Sequence, residues 1–162
     1  LDDSEILPCW DNSVEPRLVI GSGDTVVFEC REATGQLSAE STVADYLSVD
    51  RSLVHALNGA VAVEGAAPGD ALEIEILDMA HKGWGWTAHR PGFGLLDGDF
   101  DAPYFHMWRL EGERCVFGAH GIELPFEPMP GCVGVAPARP GRLDTGPPRE
   151  NGGNVDIRDL TT

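Results

Sequence analysis

The densest group of polar side chains lies in the segment PRENGGNVDIRDL, at residues 148–160. Asn151, Asn154 and Asp156 surround a Gly-Gly pair there. A carboxylate beside carboxamides can ligate a divalent cation or orient a hydrolytic water, and the glycines allow the backbone to bring these groups to one point. The alternative is an Asx-rich turn, in which the same side chains bond only to their own backbone. The spacing leaves both interpretations open.

Histidine and glutamate supply the candidates for acid–base chemistry. The chain has five histidines: His55, His81, His89, His106 and His120. They form no His-x-His and no i, i+4 pair, so no self-contained histidine-rich zinc site is visible. His55 precedes a predicted strand and is the first candidate for a general base or a ligand, with Glu64 as the matching carboxylate. The alternatives are an ordinary surface or core histidine and a solvated glutamate.

A Gly- and Trp-rich stretch, KGWGWTAHRPGFGLL at residues 82–96, is the candidate wall of a small-ligand site. Glycine permits positive φ and close backbone approach, while indole rings offer flat apolar surface with a single donor. Trp84, Trp86 and Phe93 are therefore the candidate substrate-binding residues. The alternative is that the two tryptophans are core or interface anchors in a Gly-rich turn.

Several classes of function find no support in the sequence. There is no Gly-x-Ser-x-Gly elbow and no phosphate-binding glycine loop ending in Lys-Ser or Lys-Thr. The chain carries 27 Asp plus Glu against 11 Lys plus Arg, a formal charge of −16. Such a field repels phosphate backbones and anionic membrane surfaces, so we expect neither nucleic-acid nor membrane binding.

The cysteines and the hydropathy pattern bear on the compartment. Cys9, Cys30, Cys115 and Cys132 are widely spaced and form no Cys-x-x-Cys pair, so we expect buried free thiols, with two disulfides as the alternative. No stretch approaches the roughly 20 apolar residues of a spanning helix. The N-terminal LDDSEILPCW lacks the basic head and apolar core of a signal peptide. The pattern predicts a soluble, cytoplasmic protein.

The elements that must position these residues follow a β-rich pattern. Glycine and proline, 20 and 12 of them, are scattered along the chain and interrupt helical periods. Residues 17–30 predict a strand, a Gly-Asp turn and a second strand. After a Pro-Gly-Asp turn, the alternation of Leu72, Ile74 and Ile76 with Glu73, Glu75 and Leu77 predicts a half-buried strand.

One short helix is predicted within residues 40–57, with Ser41 or Thr42 as its cap. Residues 81–109 and 118–150 are predicted to be long ordered loops with brief strands. An antiparallel β-sandwich buries many short alternating strands without crossover helices, so we predict an all-β fold with long Gly/Pro-rich loops and at most one or two short helices. The final GGNVDIRDLTT resembles the approach to another strand, whose open edge something else must cover.

Five segments, in order, resemble the acetamidase/formamidase family over nearly the whole chain. They are DNSVEP…SGDTVVFEC, VHALNGAVAVEGAAPGDALEIEILD, GWGWTAHRPGFGLL, LPFEPMPGCVGVAPA and PPRENGGNVDIRDL. The resemblance implies a jelly-roll-like β-sandwich that hydrolyses small amides, such as formamide or acetamide, to ammonia and the carboxylate. It also implies a bound divalent metal, zinc first and calcium second. Asn154 and Asp156 would be its ligands here, and His55, Glu64 and Asp156 would carry the catalysis.

This chain departs from the family pattern in two ways. Ala56 and Ala60 stand where the family usually has proline. Family members also continue past Asn-Gly-Gly-Asn-x-Asp into a Gly-Asp-x-His stretch and then a Gln-Gly-Asp-Gly-Glu stretch, which are the best candidates for further metal ligands and for water activation. We therefore expect residues 1–162 to be the N-terminal part of a single domain. A second polypeptide or a missing C-terminal half would complete that domain, and the completed unit would form a homo-oligomer.

A binding or regulatory module that kept the sandwich but lost catalysis is the rival interpretation. The missing half and the two changed prolines favour it, and it needs no metal. Metal content and ammonia release would separate the two.

Overall fold

The computed structural model describes residues 1–118 and 121–161, so His120 lies outside the described residues. The chain divides into two compact units. Unit 1 combines Leu1–Gly35, Asp50–Leu77 and Met129–Thr162, and unit 2 combines Gln36–Val49 with Asp78–Pro128. That residues 1–162 are the N-terminal part of one larger domain stays a prediction.

Short strands dominate both units. In chain order they are β1 (Ile6–Leu7), β2 (Cys9–Trp10), β3 (Leu18–Ile20), β4 (Leu57–Asn58), β5 (Val61–Val63), β6 (Trp84–His89), β7 (Tyr104–Glu111), β8 (Arg114–Phe117), β9 (Ile122–Pro125), β10 (Cys132–Gly134), β11 (Leu143–Asp144) and β12 (Gly152–Asn154). The helices are α1 (Val43–Ser48) and a 3-10 turn at Arg51–Leu53. The predicted all-β class with one or two short helices is confirmed.

Unit 2 is built on a four-stranded antiparallel sheet in the order β6-β7-β8-β9. Helix α1 begins where Thr42 was predicted to cap it: the Thr42 side chain accepts from the Asp45 N–H, and the Asp45 carboxylate accepts from the Thr42 N–H. This reciprocal pair is a capping box, a local signal that sequence alone carries. Tyr46 is the buried residue of the helix, and its ring lies 5.6 Å from that of Trp86 and 5.7 Å from that of Phe105.

Unit 1 contains four two-stranded sheets: β1-β4, β2-β11, β3-β5 and β10-β12. Three of these pairs are antiparallel, but β3 and β5 run parallel, with Val19 opposite Ala62. The predicted antiparallel arrangement holds for the other strand pairs described, and β3-β5 is the exception among them. The predicted turns are present, because the Asp24 N–H bonds to Gly21 and the Asp70 N–H bonds to Ala67.

Two other expectations fail. Residues 81–109 were expected to be loop with brief strands, yet they hold β6 and most of β7, the two longest strands described. Aromatic residues favour strands, and the alternation of aromatic and small residues there fits a pleated surface. Residues 72–77 are extended but pair with no strand of the described chain, and the half-buried face predicted for them is largely exposed.

The cysteines and the helices complete the description. No disulfide joins the four cysteines, as expected for thiols. Cys30 is exposed and the other three are half-buried, so the expectation of buried thiols is wrong. Within the described ranges, no helix has the length and hydropathy needed to cross a bilayer.

Candidate functional site

The β10-β12 pair of unit 1 positions the polar segment singled out in the sequence. Cys132 lies opposite Asn154, and Gly134 lies opposite Gly152. Gly152 has φ +91°, and a Cβ there would lie 2.4 Å from the Val133 carbonyl oxygen. Only glycine fits such a position, because a side chain would be both strained and blocked. The Gly-Gly pair therefore brings two backbones close together and holds Asn154 in place.

Asn154 and Asp156 meet at the end of β12. The Asn154 amide nitrogen donates to Asp156 Oδ2 at 3.0 Å, and the Asp156 N–H donates to the Gly131 carbonyl at 3.1 Å. Asp156 adopts φ +47°, a left-handed conformation that aspartate tolerates better than most residues. These bonds fix the orientation of the carboxylate, although its side chain is exposed.

Gly131 allows the Asp156 carboxylate to approach its backbone closely. A Cβ on Gly131 would lie 2.9 Å from Asp156 Oδ1 and 3.9 Å from the Asn154 amide oxygen. The Asn154 nitrogen bonds to the other carboxylate oxygen, so both remaining oxygens lie beside the Gly131 backbone. The four residues Gly131, Cys132, Asn154 and Asp156 are called the β10-β12 cluster below. They provide two oxygen donors side by side.

The Cys132 thiol of this cluster is in its neutral form. Burial, and then the negative charge of Asp156, raise the pKa of Cys132 to about 11. A thiol with that pKa stays protonated at neutral pH, and the thiolate is the form that attacks carbon or binds metal. The cluster therefore offers oxygen ligands, and its cysteine does not act as a nucleophile at neutral pH.

Thr145 holds His55 from a position 90 residues away in the chain. Thr145 is fully buried, and its hydroxyl oxygen accepts from the His55 N–H at 2.9 Å. The same hydroxyl donates to the Val54 carbonyl at 3.3 Å and lies 3.5 Å from His55 Nδ1. The Thr145 hydroxyl therefore contacts both the backbone and the ring of His55 and fixes the position of the imidazole.

The same threonine also links His55 to the glycine pair. Gly153 is buried, and a Cβ on it would lie 3.6 Å from the Thr145 carbonyl oxygen and 3.3 Å from that of Pro147. The Arg149 guanidinium donates to the carbonyls of Asp144 and Pro147, at 2.7 and 3.0 Å, and so closes the turn between β11 and β12. Unit 1 thus connects the imidazole, through Thr145, to the strand that carries Asn154.

Other residues predicted in this unit do not join the group. Glu64 follows β5 with an exposed side chain, and its N–H bonds to Ile20 at 2.7 Å. Its carboxylate makes no contact with His55 in the part of the chain that the structure describes. Asn151 donates to the Val135 carbonyl at 2.9 Å, so the backbone-bonding interpretation of the Asx-rich segment holds for Asn151. The catalytic role of Glu64 stays a prediction.

The three candidate substrate-binding residues all belong to unit 2. Trp86 stacks on Phe105, with ring centroids 5.8 Å apart, in the cluster that anchors α1, so it acts as a packing residue. Trp84 is half-buried at the start of β6, and Phe93 is 60% exposed in the turn after it. Their role in substrate binding stays a prediction.

The described residues supply only some of the ligands that a metal site needs. Among residues 1–118 and 121–161, no group of three or more His, Cys, Asp and Glu side chains converges. Asn154 and Asp156 offer two oxygen ligands, and a cation needs more: about four for zinc and six to eight for calcium. The described chain accounts for only part of any coordination shell.

Unit 1 thus carries a fixed carboxylate, a carboxamide and an imidazole, side-chain types that can orient or activate a water molecule. The chain belongs to the acetamidase/formamidase family: residues 2–142 match the model of that family. The match ends before the segment 148–160. The comparison for that segment comes from solved structures, one of which aligns with 99% of the chain.

An acetamidase from Bacillus halodurans superimposes on 99% of this chain with a TM-score of 0.90 and 33% identity, and the chain covers 54% of that structure. The acetamidase of Mycolicibacterium smegmatis is 27% identical over 94% of this chain, which covers 53% of the relative. A formamidase of Methylophilus methylotrophus is 26% identical over 98% of the chain and is also covered to 53%. The chain thus spans about half the length of these relatives.

Sequence reasoning missed Thr145 and Gly131. A single threonine carries no local signal for a partner 90 residues away, so nothing in the sequence could have found it. Gly131 lies in LPFEPMPGCVGVAPA, one of the segments that carried the family resemblance. That segment was the available clue.

Proposed function

We propose that this chain is one part of an enzyme that hydrolyses small aliphatic amides, of the formamide or acetamide type, to ammonia and the carboxylate. One observation supports this most: two oxygen atoms that could act as ligands, Asn154 Oδ1 and Asp156 Oδ1, lie beside Gly131 in a chain that belongs to the acetamidase/formamidase family. Hydrolysis of an amide needs a polarised carbonyl and an activated water.

Within this proposal His55 accepts the proton of the attacking water. Its backbone N–H is fixed by Thr145, whose hydroxyl also lies 3.5 Å from the ring nitrogen Nδ1. A general base must be held in one orientation to accept a proton efficiently, and such a base contributes roughly 10²–10⁴-fold to a rate. The Asp156 carboxylate, fixed by Asn154 and by Gly131, orients the water or the metal. Glu64 is a candidate for the second proton transfer.

A divalent metal fits the donor set in part. The two oxygens beside Gly131 would hold it. When bound, such an ion polarises the amide carbonyl and lowers the pKa of water. Oxygen ligands alone suit calcium, whereas zinc prefers histidine or cysteine. Zinc, which the family resemblance implies, therefore needs nitrogen or sulfur ligands from another part of the enzyme.

The remaining ligands and part of the substrate pocket would come from the equivalent of the second half of the relatives, either as a missing C-terminal half or as a second polypeptide. The relatives are about twice as long as this chain. We expect the completed unit to form a homo-oligomer. Its cytoplasmic location stays a prediction.

Ammonia release tests this proposal. We expect the chain, completed by its partner, to release ammonia from formamide, and Asp156→Asn to lower kcat by about 10³-fold because the oriented carboxylate is lost. Asp159→Asn is the matched control, since it removes the same charge three residues away at an exposed position. Wild-type turnover in Asp156→Asn would remove Asp156 from the mechanism. A folded, metal-free complex that releases no ammonia would support the non-catalytic module instead.

A further inference from the structure

The segment Ala71–Leu77 of unit 1, ALEIEIL, has the sequence pattern of a β-strand but pairs with no other strand of the described chain. Its residues alternate between aliphatic and acidic types. Leu72 is 44% exposed, Ile74 is 64% exposed and Leu77 is 58% exposed. On a strand Leu72 and Ile74 share one face and Leu77 lies on the other, so aliphatic side chains are exposed on both faces of the segment.

The backbone of this segment is equally open. The turn before it is fixed, because the Asp70 N–H donates to the Ala67 carbonyl at 3.0 Å and the Asp70 carboxylate accepts from the Ala67 N–H. Beyond that turn, no main-chain hydrogen bond reaches residues 71–77 from any residue that the structure describes. Both edges of the segment are therefore free to pair with another strand.

Residues 26–29 of unit 1 also have one backbone edge without a partner strand in the described chain. The Glu29 N–H donates to the Leu1 carbonyl at 2.9 Å, and the Glu29 carbonyl accepts from Asn58 at 2.9 Å. Alternate residues of an extended strand point their N–H and C=O groups to opposite edges. No main-chain hydrogen bond reaches Val26 or Phe28 on the other edge from the described residues. Phe28 is 46% exposed, so this edge also lacks a cover.

Charge argues against a second copy of this chain as the cover. An antiparallel self-pair centred on Ile74 would place Glu73 opposite Glu75, and like charges directly opposite one another in a sheet are destabilising. Two chains of formal charge −16 also repel each other at long range. A partner that pairs with this segment therefore has a different sequence.

We propose that residues 71–77 pair with a β-strand from the equivalent of the second half of the relatives. The inference rests on the proposed two-part enzyme. The solved acetamidase superimposes with a TM-score of 0.90 and is only 54% covered, so its remaining half is available to cover this segment.

The segment also specifies the chemistry of the partner strand. Main-chain hydrogen bonds along residues 71–77 supply affinity, as in other cases of strand addition. Aliphatic side chains must face Leu72, Ile74 and Ile76, and lysine or arginine side chains opposite Glu73 and Glu75 neutralise the other face. Burial of an isoleucine at this contact is worth roughly a tenfold or larger change in affinity.

Hydrogen–deuterium exchange tests this surface. The probe is the second-half polypeptide of the Bacillus halodurans acetamidase, produced as a separate chain and mixed with the intact 162-residue chain. We expect the amides of residues 71–77 to exchange at least about tenfold more slowly in the mixture, since strand pairing protects them. The exposed turn at residues 92–98 is the internal control and should not change.

Two variants make the assignment specific. Ile74→Lys should weaken the complex by about tenfold or more, because it places a charge on the apolar face. It should leave the chain alone folded, since Ile74 is 64% exposed there. Leu95→Lys is the matched control at a fully exposed position and should change affinity by less than about twofold.

The outcomes separate the two proposals. Unprotected residues 71–77 in the mixture, no complex at 100-fold excess of probe, or protection in the chain alone through self-association would each overturn the docking surface. Protection without ammonia release from formamide would leave the surface standing and count against the hydrolase function.

Discussion

The two units of the chain are built in opposite ways. Unit 2 joins neighbouring strands into one antiparallel sheet and packs the capped helix α1 on it through Tyr46. Unit 1 consists of four two-stranded pairs, which join segments as far apart as β2 and β11. The candidate chemical groups His55, Asn154 and Asp156 all lie in unit 1.

This difference indicates which unit is stabilised by local contacts and which depends on further packing. Pairs of neighbouring strands and capped helices form from local contacts, whereas isolated two-stranded pairs are marginal without further packing. Unit 1 has no large sheet among the described residues, and it contains the unpaired segment 71–77. Its candidate site residues are therefore held by individual contacts, such as the one between the Thr145 hydroxyl and the His55 N–H. We therefore expect substitutions in unit 2 to act on stability and substitutions in unit 1 to act on the site.

The largest effect on stability is expected from the aromatic cluster of unit 2. Tyr46→Ala removes the ring that contacts Trp86 and Phe105 and should lower the free energy of unfolding by about 3 kcal/mol, measured by urea denaturation. Leu47→Ala, on the same helix but 39% exposed, is the control and should cost less than about 1 kcal/mol. Equal effects of the two variants would mean that the cluster does not anchor the helix.

A smaller loss of stability is expected at Thr145 in unit 1. Thr145→Val keeps the shape but removes the hydroxyl that accepts from the His55 N–H, so a buried donor is left unsatisfied. The expected cost is about 2 kcal/mol in the same denaturation experiment. Thr87→Val is the control, because it removes an exposed hydroxyl that accepts from Trp108 and should cost less than about 1 kcal/mol. An undiminished stability in Thr145→Val would show that His55 is not held by this contact.

The smallest effect is expected at Cys132. Its pKa of about 11, raised first by burial and second by Asp156, keeps the thiol protonated, so alkylation by iodoacetamide at pH 8 should be slow compared with the exposed Cys30. Asp156→Asn removes the negative charge, lowers the pKa of Cys132 and should speed its alkylation by a factor of about three, read by peptide mass spectrometry. Asp159→Asn should leave the rate unchanged. A slower reaction in Asp156→Asn would contradict the placement of the carboxylate beside the thiol.

The sequence predicted the features that local signals encode. The all-β class followed from scattered glycine and proline, and the start of α1 followed from Thr42 as a cap. The turns that end in Asp24 and Asp70 were also correct, because an aspartate after glycine bonds to nearby backbone N–H groups.

The features that sequence reasoning missed depend on distant parts of the chain. The parallel pairing of β3 with β5 and the contact of Thr145 with His55 join segments that no local pattern relates. The strands β6 and β7 lie where the sequence predicts mostly loop, because their glycines and aromatics hide the alternation. Asn154 and Asp156 are hydrogen-bonded to each other, whereas Glu64 does not contact His55, and the roles of all four residues stay predictions.

The central claim is that His55 and Asp156 act in one site for amide hydrolysis. The most direct test is the rate of ammonia release from formamide by the completed enzyme carrying His55→Gln, Asp156→Asn or both. We predict a loss of about 10²-fold or more in each single variant and a double variant hardly slower than the slower single one, because residues that act as a unit are strongly non-additive. Losses that multiply in the double variant, or single variants with wild-type rates, would contradict the account.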